Sequence, residues 1–286
     1  GEGFPITWGS RVEELLGLGG DHRRHALVMF AFNLNWFFLV DPAWTDKKLL
    51  SVLDKEDEDQ QAFWQGFFWS AKIPNQQLYF RLKSSLLSLT KMKQFDRRRD
   101  IESLSYILLA GWGSIYEKTG ERLIRNDEMR DILLKADDDF RGQVLNYLER
   151  WSSKSGKNNW TENLPIFFTE VWPRQKQAKS PKISAKLCDL AFISEEVFIV
   201  VADKILPLVT IIDVEGIFLP HLRVTENNVF EKHPEKTLEL LWAVLPENAT
   251  KWPYGIEDVL AKIREAEPSL LSDARFIELK RRWNAR

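Results

Sequence analysis

Cysteine is almost missing: Cys188 is the single one among 286 residues. An intramolecular disulfide is thereby excluded, and so is a zinc site built on thiolates. A disulfide-free chain fits a reducing compartment, and the expectation is a cytoplasmic protein. Histidine is nearly as scarce, with four residues, His22, His25, His221 and His233. Charge of one sign is not in excess either. The 40 basic side chains face 42 acidic ones, which gives no global attraction to nucleic acid or anionic lipid. A membrane-spanning run is lacking too. The longest apolar stretch, Ala26 to Val40, is broken by Asn33 and Asn35, and it falls short of the about 20 residues that a bilayer requires. It reads instead as a helix buried on nearly all sides. The first residues show no signal-peptide pattern, so Asn159-Trp-Thr161 and Asn248-Ala-Thr250 count as chance matches to a glycosylation acceptor. The chain opens on Gly1 rather than Met, and the expectation is a processed or excised piece.

Large rings are what the chain has in quantity: 12 Trp and 18 Phe against 5 Tyr. Indole and phenyl groups bury large apolar areas, which suits thick helix-on-helix packing. Helical periodicity runs through the sequence. Phe140, Val144, Leu145, Leu148 and Trp151 share one stripe behind the acidic start Asp137-Asp138-Asp139. Leu238, Leu241, Trp242 and Leu245 repeat the spacing, as do Ile256, Val259, Leu260 and Ile263. Start signals are Ser10 with Glu13 as a capping box, Asp57 with Gln60, and Ser180 ahead of Pro181. Prolines at 173, 207, 220, 246 and 253 close apolar runs.

These signals predict an all-α fold of roughly a dozen helices joined by short links, arranged as an irregular α-solenoid. Leu208 to Val214 has strand character but no partner run, and is expected to be a helix end and an extended link. The polar stretch Ser152 to Asn159 predicts a loop between an N-terminal lobe, 1–151, and a C-terminal lobe, 160–286.

No constellation in the sequence spells out a reaction. His22 and His25 sit at a helix start without the tighter spacing of a zinc helix, and nothing nominates a third ligand. The acidic runs at 54–59 and 137–139 lack the central glycine of a calcium loop and read as helix caps. Gly17-Leu-Gly19-Gly20 follows a helix pattern and lacks the third glycine of a dinucleotide fingerprint. Gly156-Lys157 lacks the rest of a phosphate loop, and Cys188 lies in an apolar helical run. Accordingly no catalytic residue, cofactor ligand or metal ligand is assigned. Two alternatives stay open: a site assembled only in three dimensions, around His22, His25 and Asp137 to Asp139, and a nucleic-acid sensor. The second would use Arg97, Arg98 and Arg99 with the basic turn Lys280-Arg281-Arg282 and Arg286, although Asp96 and Asp100 bracket the first cluster.

Candidate partner-contacting residues are Arg97, Arg98, Arg99, Trp172, Arg174 and Gln175. For the segment Trp172-Pro-Arg-Gln175, one reading is an interface anchor rich in the residue types that dominate hot spots. The other is a helix end with Trp172 packed inward.

Segments spread along the chain carry a resemblance. They are His25-Ala-Leu-Val-Met-Phe30 through Asn35-Trp36 to Val40-Asp-Pro-Ala-Trp44-Thr45; Ala62-Phe-Trp-Gln-Gly-Phe-Phe-Trp69; Leu109-Ala-Gly-Trp-Gly113; and Gly120-Glu-Arg-Leu123. Ala136 to Leu145, Glu170-Val-Trp-Pro-Arg-Gln175, Leu245-Pro-Glu-Asn248 and Trp252-Pro-Tyr-Gly-Ile256 continue the series. In this order they resemble the helical C-terminal region found downstream of sirtuin-like NAD-hydrolysing domains in bacterial anti-phage defence proteins. The resemblance implies a non-catalytic scaffold, sensor or oligomerisation module. NAD hydrolysis would belong to an attached or partner sirtuin-like domain, which this chain lacks. The implied partners are proteins: that effector domain, a phage protein, or a second copy of the chain. No cofactor and no membrane are implied.

Overall fold

The computed structural model describes residues 3–55, 57–89, 98–153, 160–193, 195–215, 219–223 and 228–286. Among these the fold is all-helical, and the β pairing is limited to an isolated bridge between Ile115 and Arg122. Gly120, at φ +71°, makes the turn inside that bridge. The residues pack as two compact units, Gly1–Arg125 and Asn126–Arg286. The polar stretch read as the join between lobes, of which 154–159 lie outside the described residues, falls within the second unit. No described helix is long and apolar enough to cross a membrane.

Unit 1 contains α1 (Ile6–Gly17), α2 (Gly20–Phe32), α3 (Leu34–Val40), α4 (Pro42–Lys48), α5 (Glu58–Ser70), α6 (Gln76–Leu89) and α7 (Arg98–Gly113). Its centre is the packing of α2 along α5. Gly66 permits it, because a Cβ there would stand 2.1 Å from the Val28 carbonyl oxygen. Around the crossing, Phe63, Trp64, Phe67 and Phe68 are all buried. A similar device joins α6 to α7. The Tyr79 hydroxyl lies where a Gly111 Cβ would be, and donates to the Ile107 carbonyl oxygen at 2.9 Å.

Local start signals hold where a side-chain oxygen can reach a free amide. Asp57 accepts from the backbone N–H groups of Asp59 and Gln60. The Ser10–Glu13 capping box does not form: α1 already starts at Ile6, after Pro5, so Ser10 lies within the helix. Its opening is set by ring packing, with Phe4 and Trp8 centroids 4.3 Å apart. The apolar stretch from Ala26 also departs from expectation. It is two helices broken at Asn33, and Met29, Trp36 and Leu39 are half or more exposed. The Asn33 side-chain amide donates to the Met29 carbonyl oxygen, a local bond that competes with the helix ladder.

Unit 2 contains α8 (Asn126–Lys135), α9 (Asp138–Ser152), α10 (Asn163–Ile166), α11 (Pro181–Ala191), α12 (Phe198–Ile205), α13 (Val229–Lys232), α14 (Pro234–Val244), α15 (Ile256–Ala266) and α16 (Ala274–Asn284). Asp137 caps α9 through the Phe140 N–H at 2.8 Å, and Ser180 caps α11 through the Ile183 N–H at 3.2 Å. A single π turn, Phe167–Val171, follows α10. Val209 to Val214 is an extended link, held by the Thr210 N–H on Ser184 Oγ and the Ile212 N–H on the Val244 carbonyl. The α9–α11 pair is the frame on which a polar cleft is built.

Candidate functional site

Helix α9 presents Asn146 and Glu149, three residues apart, and α11 presents Lys182, Lys186 and Asp189 at spacings of four and three. Such spacings put side chains on one helix face. Because α9 packs against α11, the two polar rows meet. Leu219 and Pro220, where the short turn Pro220–Arg223 begins, close the third side. The result is a cleft of about 260 Å³ lined by Glu149, Lys182, Ala185, Lys186, Asp189, Leu219 and Pro220.

Asp189 is the most buried acid of this group, with 8% of its side chain exposed. Both of its oxygens are spent on one residue. Oδ1 accepts from the His221 backbone N–H at 2.9 Å, and Oδ2 lies 2.8 Å from His221 Nδ1. The bond to the carboxylate raises the His221 pKa, and the nearby Glu149 pushes the same way against the cost of burial. Glu149 is half-buried, and none of the described residues donates a hydrogen bond or ion pair to its carboxylate. Burial raises its pKa, Asp189 adds to the effect, and His221 opposes it. Lys186 shifts the other way: burial lowers its pKa while Glu149 opposes. Its ammonium is turned onto Asn146 Oδ1. One donor atom each from Glu149, Asp189 and His221 lie within 4.8 Å of one another. Glu149 and Lys186 in the cleft wall, and His221 bonded behind it to Asp189, have displaced pKa values, the pattern of a candidate functional site.

The residues singled out from the sequence have other surroundings. His22 and His25 are exposed on α2 in unit 1, whereas Asp137 to Asp139 begin α9 in unit 2. Asp138 pairs with Arg141 and Asp139 with Lys182. Arg97 lies outside the described residues; Arg98 pairs with Glu102 at 3.0 Å, and Arg99 is exposed at the start of α7. Trp172 is buried at 2% exposure against Phe167 and Phe168, so it packs inward, while Arg174 and Gln175 are exposed. The C-terminal cations are partly occupied. Arg281 and Arg282 both bind Glu278, Arg282 also lies over Trp242, and Arg286 lies over Trp283. Cys188 is fully buried, and burial pushes its thiol pKa up.

Unit 1 offers a second candidate, an aromatic face at the α2–α3 break. Trp36 is 51% exposed and Leu39 67%, and their spacing of three places them side by side on α3. The Phe32 ring meets the half-exposed Trp69 at 5.5 Å, and Lys72 lies over Phe32. Asn35 links α3 to the segment after α5 by donating to the Ile73 carbonyl and accepting from the Asn75 N–H. Trp36 also packs against the rings of Phe4, Trp8 and Phe37, with centroids 5.8, 6.0 and 4.9 Å away.

Comparison with known proteins adds little to this geometry. The chain is 23% identical over 191 residues to an uncharacterized protein, y4cA, of Sinorhizobium fredii strain NBRC 101917 / NGR234. That match takes in 64% of this chain and 16% of the relative, so the chain spans only a small part of that protein's length. No protein-family model and no solved structure matches the chain.

Neither the cleft nor the aromatic face was marked in the sequence. Glu149, Asp189 and His221 are separated by 40 and 32 positions and form no motif. The available signal was Asp189 itself, an acid embedded in the apolar run Leu187 to Phe192, since an acid on a buried helix face needs a partner.

Proposed function

We propose that this chain is a non-catalytic helical interaction module that serves a sirtuin-like NAD-hydrolysing effector in bacterial anti-phage defence. The observation that carries the interaction role is the exposure of the large apolar side chains Trp36, Leu39 and Trp69 in unit 1. Large apolar side chains clustered at a surface mark binding sites, and tryptophan is among the residues that dominate binding energy. The tie to defence proteins rests on the ordered motifs from His25 to Ile256. The match to a small part of a much longer relative supports reading the segment as one module among others. A stacked helical array would give such a module an extended surface for a protein ligand. A trigger would act by favouring one arrangement of module and effector over another.

The full chain, mixed with a sirtuin-like domain from a defence protein of the resembled family, is expected to co-elute with it in size-exclusion chromatography. Trp36→Glu combined with Leu39→Glu should abolish co-elution while leaving the circular dichroism of the chain unchanged. Separate elution of the unaltered pair, or co-elution that survives the double substitution, would contradict the reading.

A further inference from the structure

We propose that Glu149, Asp189 and His221 form a binding site for one divalent transition-metal cation, independent of the interaction role above. The three donors come from α9, α11 and the turn Pro220–Arg223, and their ligand atoms lie within 4.8 Å of one another. Three ligands at about 2.0–2.2 Å from an ion stand about 3–3.6 Å apart. Asp189 and His221 are already at 2.8 Å, so the inward movement required falls to the Glu149 carboxylate. Its carboxylate faces the cleft half-buried, and none of the described residues donates to it. A cation there would give it the partner that burial calls for. Asp189 and His221 are already fixed against each other at 2.8 Å, so part of the ligand set is pre-organised.

The mixture of one imidazole and two carboxylates selects the metal class. Imidazole suits zinc, iron and nickel, carboxylate suits manganese and magnesium, and the combination fits Zn²⁺, Mn²⁺ or Co²⁺ best. Three protein ligands leave coordination positions open toward the cleft of about 260 Å³. The two amines in the cleft wall are hydrogen-bonded elsewhere, Lys186 to Asn146 and Lys182 to Asp139, so neither donates to Glu149 or Asp189. On entry of the ion, the proton shared by His221 Nδ1 and Asp189 Oδ2 leaves to solvent, and binding therefore releases a proton. The bound ion would fasten the turn carrying His221 to both helices.

The test is equilibrium dialysis of the chelator-treated full chain against Zn²⁺, Mn²⁺ and Co²⁺, with the visible spectrum of the Co²⁺ form as a second reading. One equivalent of metal is expected for at least one of the three ions. Glu149→Gln and His221→Gln should each weaken binding by about 100-fold or more, as loss of a direct ligand exceeds the effect of losing an outer-shell partner. Circular dichroism of the two variants without metal should match the parent, which separates ligand loss from unfolding. No saturable one-equivalent binding for any of the ions, or binding that survives both substitutions, would overturn the proposal.

Discussion

Gly66 in unit 1 and Gly142 in unit 2 both lie in helix interiors, on α5 and α9, yet their surroundings differ. A Cβ on Gly66 would strike the backbone of Val28 at 2.1 Å, whereas one on Gly142 would meet only the Lys186 side chain at 3.5 Å. Unit 1 is made by close backbone approach, with rings filling the space around it. In unit 2 the corresponding helix pair, α9 and α11, carries polar rows whose groups bond to one another across the gap. The contrast bears on function. In unit 1 the large apolar side chains Trp36, Leu39 and Trp69 emerge at the surface, and in unit 2 polar groups collect in a cleft.

Substituting the two glycines breaks or sharpens this comparison most strongly. Gly66→Ala is expected to destabilise by at least about 1–3 kcal/mol, since the obstacle is backbone and cannot turn aside. Gly142→Ala is expected to stabilise by about 0.5–1 kcal/mol, the usual gain when a helical glycine can accept a methyl group. Denaturant unfolding of the full chain measures both. Changes of the same sign would remove the distinction between the two helix pairs.

A smaller effect concerns the polar tie of unit 2. The bond to Asp189 raises the His221 pKa above its ordinary 6.5. Protonation is therefore favoured more in the folded chain than in the unfolded one, and the stability this gives is complete below the unfolded value. It is lost as the pH rises through the folded value. In chelator-treated protein, NMR titration should find His221 above the ordinary histidine range, and Glu149→Gln should bring it down only slightly. Asp189→Asn should bring it down much further. A His221 that titrates at its ordinary value in the parent would show that the tie is absent in solution.

What the sequence makes legible here follows the range of the interactions. Asp57, Asp137 and Ser180 act as caps because a cap bond spans two or three residues and depends on residue type alone. The helical class follows from apolar spacing for the same reason. The start of α1 and the break at Asn33 are decided instead by ring packing and a side-chain amide, which periodicity does not register. The cleft depends on residues 149, 189 and 221 meeting through the α9–α11 packing. No local pattern encodes that meeting, and His221 by itself looks like any other histidine.

Hydrogen–deuterium exchange of the full chain, with and without a sirtuin-like domain of the resembled family, tests the interaction role most directly. Added effector domain should slow exchange at Phe32 to Val40 and at Trp69 to Asn75, with little change across Glu149, Asp189 and His221. Unaltered exchange in both unit 1 segments at saturating effector, or protection confined to unit 2, would contradict the account.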